Sequence, residues 1–299
     1  MRQITEMARD SGRIFATAIM TAALFCGATT SAVAEQKDLR ILSVGSDVTE
    51  IVYALGFGDR VVAVDTTSQH PPEALANNKS VGYMRALSAE GVLSIGANLL
   101  LVSEGAGPAE TIRALKSSSA RYVAIPDGKS ADGLAEKIDL IGQTLGVEDQ
   151  ADALKSAVLA NLKALKKRSQ SVERRKRVLF VLNASAGRLI VGGRNTSADQ
   201  YVQLAGAENA ASSIDGFKPV TAEGIVTMKP DAILVMRGGR NGQTASELLT
   251  TAAVALTPAG KAGKASDISG VYALGFGPRL PSAATDLHNW LYNNRDKPE

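Results

Sequence analysis

The sequence predicts an α/β fold of two Rossmann-like lobes with parallel sheets, joined by a single long helix. Three observations predict it. Ser88 to Val102, SAEGVLSIGANLLLV, is written again 133 positions later as Thr221 to Val235, TAEGIVTMKPDAILV, with five of fifteen positions identical and seven more conservative. Each copy reads as a helix capped by Ser or Thr, with Glu in the first turn where the helix dipole favours an anion, then a buried strand. Duplication of such a unit predicts two lobes of similar construction. The apolar runs Arg40 to Val44 and Val61 to Val64 flank a helical segment, and a strand, helix, strand order implies a parallel sheet covered on both faces. Finally, Val147 to Glu173 lacks Gly and Pro and repeats apolar residues at Ala151, Leu154, Val158, Leu162 and Leu165. It reads as one rigid connector of roughly 40 Å, at about 1.5 Å per residue.

In chain order, Asp47 to Glu50 reads as a D-x-x-E capping box opening the helix that ends at Gly56. The loop Asp65 to Pro72 carries His70-Pro71-Pro72 and cannot continue regular structure, so it lies at a strand end, where open α/β sheets place ligands. Pro108 to Ser117 is a helix, Tyr122 to Ile125 a strand, and Ala131 to Leu145 a helix stopped by Gly146. After the connector come strand Arg177 to Leu182, short strand Leu189 to Val191 and helix Ser197 to Ala205. Beyond the repeated unit, Ser246 begins a helix, Gly270 to Phe276 reads as a strand, and Pro281 starts a closing helix to Asn293. The heptapeptide VYALGFG occurs at 52–58 and at 271–277. The first copy follows a capping box and reads as helix; the second lacks one and reads as strand.

The N-terminus, with Arg2, Arg9 and Arg13, an apolar run from Ile14 to Phe25 and Ala32-Val33-Ala34, reads as a secretory signal peptide cleaved after Ala34. The apolar run is shorter than the roughly 20 residues that span a bilayer. Cys26 follows bulky Phe25 rather than the small residue a lipidation site wants, and it is the only cysteine. The predicted organisation is therefore signal peptide 1–34, N-terminal lobe 35–146, connecting helix 147–173 and C-terminal lobe 174–299. The mature protein is read as exported, folded on its core rather than on disulfides. The formal net charge is +3, which implies no nucleic-acid partner. The basic cluster from Lys166 to Arg168 and Arg174 to Arg177 reads as a solvated helix end whose cations suit the C-terminal dipole.

Enzymatic chemistry finds little material here. Two histidines, His70 and His288, and no G-x-S-x-G give no marked nucleophilic triad. No Walker loop is present, the glycine pairs 192–193 and 238–239 lack a G-x-G-x-x-G frame, and a zinc site has too few ligands. The first copy of the repeat, however, is preceded by Gly82-Tyr83-Met84-Arg85 and the second by Gly216-Phe217-Lys218-Pro219. A duplicated scaffold with one asymmetric tyrosine implies a ligand held between lobes and gripped from one side. A phenolate is a hard oxygen donor suited to ferric iron, and both the iron and a neighbouring guanidinium such as Arg85 favour the charged form. From residue types alone, Tyr83 is either that donor or a packed side chain with its hydroxyl bonded.

The chain resembles the periplasmic haem-binding proteins of haem ABC importers, within the class III substrate-binding family that also serves vitamin B12 and siderophore uptake. The resemblance covers essentially the whole chain after residue 34. It is carried by Ile41 to Leu55, Asp65-Thr66-Thr67-Ser68, Gly82 to Glu90, Gly193-Arg194-Asn195-Thr196 and Gly275-Phe276-Gly277-Pro278-Arg279. It implies a non-enzymatic periplasmic carrier of ferric haem b, with Tyr83 as axial ligand and Arg85 meeting a propionate. Arg237 ends the strand of the second repeated unit, which brings it to the cleft rim opposite Tyr83, and with Arg240 just beyond it and His70 in the loop after Asp65 it is read as a propionate-side or neighbouring group. It further implies docking of Glu90 and Glu223 on an ABC permease dimer with its ATPase subunits, fed by an outer-membrane haem receptor. Two departures matter. No histidine stands in Asn183 to Arg188, where some relatives place a second axial ligand, so five-coordinate or tyrosine-plus-water ligation is expected. Relatives also carry Tyr where His70 stands, which makes His70 either a haem-side group or a polar loop contact. A ferric siderophore or a corrinoid is the alternative cargo: Arg85, Arg237 and Arg240 would suit an anionic chelate, whereas the aromatic walls of the B12 relatives are missing, Trp290 being the only tryptophan.

Overall fold

The computed structural model describes residues 38–185, 188–237 and 243–293. The described residues from Ile41 onward form one compact unit. The segment read as a signal peptide lies outside the described residues, and none of the described helices is long and apolar enough to cross a membrane.

The first lobe is built on β1 (Ile41–Val44), β2 (Val61–Val64), β3 (Lys79–Ser80), β4 (Leu99–Ser103) and β5 (Arg121–Ile125), in the order β3-β2-β1-β4-β5. Every pairing is parallel. β1 and β4 are buried along their full length, as central strands covered on both faces must be. The strand order reverses between β1 and β4, which opens a crevice beyond their carboxyl ends.

The second lobe contains β6 (Arg177–Ser185), β7 (Arg188–Gly192), β8 (Glu208–Asn209), β9 (Phe217–Val220), β10 (Ala232–Arg237) and β11 (Ala265–Ser269), ordered β11-β10-β6-β7-β9 with β8 also on β6. This sheet is mixed rather than parallel, because β7 runs antiparallel to both β6 and β9. The end of β6 and the start of β7 are too close in sequence for a parallel crossover, which needs about a dozen residues, so the chain returns as a hairpin. Side chains alternate between the two faces as strand geometry requires. Val178, Phe180 and Leu234 pack with Tyr201, Leu287 and Trp290, while Leu179, Val181, Ile233 and Val235 pack with Leu248 and Val254 on the other face.

The repeated unit has the same form twice. Helix Ala89–Leu93 is capped by Ser88 and helix Ala222–Met228 by Thr221, each cap oxygen accepting the N–H of the glycine three residues on, from Gly91 at 3.3 Å and Gly224 at 3.2 Å. β4 and β10 follow. The connecting helix spans Glu148–Gln170 and buries Ala151, Val158, Leu162 and Leu165. It packs on Ala131–Leu145 of the first lobe and on Leu280–Tyr292 and Ser197–Leu204 of the second. Close approach is enforced toward each end. A Cβ on Gly142 would stand 2.3 Å from that of Ala151, and one on Gly206 would stand 2.6 Å from that of Ser169.

Three local expectations are corrected. The helix Ser46–Ala54 is capped by Gly45, without a side-chain cap bond, and Asp47 and Glu50 lie buried within it. They are not a capping box because each is drawn inward by a distant cation. The second VYALGFG copy is helical, Gly270–Leu274, and its strand is β11 just upstream. Ser269 supplies the missing cap, accepting from Tyr272 N, so both copies begin as helix. They part at the following Phe, since Phe276 takes φ +55° whereas Phe57 stays at −100°. Finally, Pro72–Asn77 is a short helix with Pro at its start, a position where the missing N–H costs nothing.

Candidate functional site

Loops from the carboxyl ends of both sheets enclose a cleft of about 900 Å³, lined from the first lobe by Ser46, Thr67, Tyr83 and Ser103 and from the second by Asn183, Arg237 and Ser269, among others. That volume is at the upper end of the roughly 300–1,000 Å³ usual for small-molecule sites. The first-lobe contribution sits at the β1/β4 switch point.

A buried carboxylate organises this floor. Asp65 is fully buried and accepts four hydrogen bonds, from Gly45 N (2.8 Å), Thr67 N (2.8 Å), Thr67 Oγ1 (2.7 Å) and Ser68 Oγ (2.9 Å). Ser68, Thr49 and Ser43 continue as a buried hydroxyl chain at 2.7 Å per step. The run Asp65-Thr66-Thr67-Ser68 is thus a brace that ties the loop after β2 to the start of the helix Ser46–Ala54, and it presents Thr66 and Thr67 to the cleft.

Tyr83 is carried on a loop laid across the sheet ends. Gly82 takes φ +87° with open space around it, so its freedom to adopt that backbone is what the turn requires. Thr66 N donates to Gly82 O at 2.9 Å, Gly107 N to Met84 O at 2.9 Å and Leu87 N to Gly107 O at 2.9 Å. The Tyr83 side chain is 46% exposed and lines the cleft. Arg85 Nη1 donates to Tyr83 Oη at 3.3 Å. Beside them the Met84 sulfur lies 3.9 Å from Thr67 Oγ1, whose hydrogen goes to Asp65. From the second lobe, Leu182, Phe217, Met236, Val271 and Leu274 supply an apolar wall. Gly270 makes room for Met236, whose sulfur would lie 2.6 Å from a Cβ there.

Five charged residues line the cleft among those described: Asp47, Arg85, Asp127, Lys129 and Arg237. Asp47 is neutralised by the fully buried Lys137, Nζ to Oδ2 2.5 Å, and Asp127 pairs with Lys129. Arg85 and Arg237 are the two that no carboxylate pairs among the described residues, so the cleft offers two guanidiniums, one from each lobe.

The sequence-predicted residues distribute as follows. Tyr83, Arg85 and Arg237 come together on one cleft, whereas Arg240 lies outside the described residues. His70 does not line the cleft; its imidazole pKa is lowered by burial first and by the Arg279 guanidinium second, so the neutral ring is favoured. Glu90 and Glu223 are exposed in the first turns of the two equivalent helices. His288 is buried in the closing helix with Nδ1 2.9 Å from Ala205 O. Gly193-Arg194-Asn195-Thr196 is a turn closed by Thr196 Oγ1 donating to Gly193 O at 2.6 Å. Its Arg194 faces Asp215 rather than the cleft.

Sequence reasoning missed the join between lobes. Arg279 Nη2 donates to Glu50 Oε1 at 2.6 Å, and its guanidinium lies 5.0 Å from the Tyr272 ring centroid. Gly277 is glycine because a Cβ would come within 2.9 Å of Glu50 Oε2. The signal was present in Gly275-Phe276-Gly277-Pro278-Arg279, but nothing local names Glu50 as its partner. Arg279→Ala leaves a 5% exposed carboxylate side chain without its cation. It is expected to lower stability by about 2 kcal/mol or more, toward the lower side for a buried pair because Arg279 reaches solvent. Urea unfolding of the variant checks this.

The chain belongs to the periplasmic binding protein family, whose model matches residues 41–270. Its two lobes on one long helix are the class III arrangement. Among solved structures it is similar to the periplasmic haem-binding protein RhuT from Roseiflexus sp. RS-1 in apo form, with TM-score 0.80 and 34% identity over 85% of this chain and 98% of that one. BhuT in complex with two haems gives TM-score 0.78 at 34% identity over 85% and 98%. A periplasmic haem-binding protein from Pseudomonas aeruginosa gives 0.77 at 30% over 86% and 94%. Among curated sequences, an uncharacterised ABC transporter substrate-binding lipoprotein of Bacillus subtilis, YvrC, is 30% identical over 67% of this chain and 64% of its own length. The vitamin B12-binding protein of Vibrio parahaemolyticus is 24% identical over 66% and 70%.

Proposed function

We propose that this protein is a non-enzymatic carrier that binds ferric haem b as transported ligand between its lobes and delivers it to an ABC importer. The observation that carries the reading is the exposed Tyr83 phenol on the cleft, hydrogen-bonded by Arg85. An oxygen donor of that type suits ferric iron, and the two guanidiniums from opposite lobes match the two propionates of haem in number and sign. Arg240 joins them as a propionate-side cation, and His70 remains a polar loop contact. Similarity at 30–34% identity to solved haem-binding proteins supports the same cargo more strongly than 24–26% identity to B12-binding sequences supports a corrinoid. Without a histidine between Asn183 and Arg188, the iron is five-coordinate or completed by water.

The carrier works in the periplasm after cleavage of residues 1–34, with lobes 35–146 and 174–299 joined by 147–173. It meets a permease dimer with its ATPase subunits and receives haem from an outer-membrane receptor system. Hemin added to the purified protein should co-elute with it on gel filtration, with a Soret band shifted from that of free hemin. Hemin that elutes separately would end the reading.

Arg85→Leu and Arg237→Leu should each weaken hemin binding about tenfold, the lower part of the range for a charge-assisted hydrogen bond because both side chains are exposed. Unaltered affinity in both and in the double variant would remove them from the site. Glu90 and Glu223, one per lobe, are the contacts for a two-fold permease, setting orientation and encounter rate. A Glu90→Ala, Glu223→Ala double variant should keep hemin affinity and lose ATPase stimulation in reconstituted transporter. Intact stimulation would leave both as helix-start residues only.

A further inference from the structure

The cleft holds a third cation, Lys129, which pairs with its own neighbour Asp127. Lys129 lies in the loop after β5, at the opposite edge of the first sheet from the β3 edge that leads to Tyr83. In this structure its ammonium is held by Asp127, two residues away, with side chains 32% and 41% exposed respectively. The two places are linked across the floor. A Cβ on Gly105 would meet Asp127 Oδ2 at 3.4 Å and Met84 Cε at 3.7 Å, so the loops after β3, β4 and β5 converge at Gly105.

A pair this open to water contributes little to stability, roughly 0–1 kcal/mol, so the fold does not require it. What it does is set local charge. Lys129 is a flexible point charge able to exchange partners, and Asp127 masks it while repelling any anion that approaches. We propose that Asp127 and Lys129 form a gated carboxylate subsite. The ligand's carboxylate takes Lys129 from Asp127, so the loop after β5 selects ligands that carry a carboxylate at that edge, and Asp127 sets the threshold. This rests on the proposed haem cargo, whose propionates are such groups.

The test compares hemin with its dimethyl ester, which keeps the iron and the macrocycle and removes both negative charges. Wild-type protein, Lys129→Met and Asp127→Asn are titrated with each at constant ionic strength. Lys129→Met should lose about tenfold in hemin affinity and nothing with the ester. Asp127→Asn should bind hemin about threefold more tightly and the ester unchanged. Hemin affinity within twofold of wild type in Lys129→Met, or equal losses for hemin and ester, would overturn the subsite. Wild-type protein that binds neither compound would instead overturn the haem reading itself, a result distinct from either of those.

Discussion

Lys137→Ala is expected to lower the stability of the protein by about 3–5 kcal/mol, the cost of leaving one partner of a buried ion pair uncompensated. Lys137 is fully buried and its ammonium bonds Asp47 Oδ2 at 2.5 Å, while Asp47 itself is 4% exposed. The pair ties helix Ala131–Leu145 to helix Ser46–Ala54, and the second of these also holds Glu50, the anchor for Arg279. Loss of Lys137 therefore strands a carboxylate beneath the cleft and loosens the helix that supports the lobe junction. Replacing both partners with apolar residues of similar size, Lys137→Met with Asp47→Leu, should recover most of the loss, because the buried charge is gone. Urea denaturation of the three proteins reads the difference directly. A single variant as stable as wild type would mean that water reaches Asp47 through the cleft and replaces the cation.

Tyr83→Phe should lower hemin affinity by about 100-fold or more, at least ~2.7 kcal/mol, since removing a ligand to the metal should exceed the 10–100-fold lost when only an outer partner is removed. The substitution deletes one oxygen and keeps the ring, so the loop pinned by Gly82, Met84 and Leu87 is undisturbed. Affinity should fall with no change in unfolding midpoint. The phenolate-to-iron charge-transfer absorption should vanish with it. If Tyr83→Phe binds hemin as wild type does, with the same spectrum, the iron is held elsewhere and Arg85 donates to the hydroxyl for structural reasons only.

What the sequence made legible is what is decided locally. Continuous apolar runs mark β1, β2 and β4, the glycine after Leu145 stops its helix with φ +69°, and the duplicated Ser-Ala-Glu-Gly and Thr-Ala-Glu-Gly starts give matching caps. Tyr83 stood out because its repeat partner has Phe217 instead, and Arg237 because it ends a repeated strand. What escaped is decided at long range. The D-x-x-E run at Asp47 obeys the capping pattern, yet its carboxylates answer to Lys137, 90 positions away, and Arg279, 229 positions from Glu50. β3 and β9 show exposed Lys and Ser or Pro on their surfaces and exist because a neighbouring strand recruits them. Lys129 sits in Pro126-Asp127-Gly128-Lys129-Ser130, which reads as an ordinary turn until the fold brings it to the cleft floor.

The most direct measurement is a parallel equilibrium titration of the purified protein with hemin and with cyanocobalamin, followed by competition between them. Saturable hemin binding that cyanocobalamin does not displace is the predicted result. Cyanocobalamin binding at lower concentration than hemin, or displacing it, would contradict a haem-carrying cleft and return the protein to the corrinoid branch of its family.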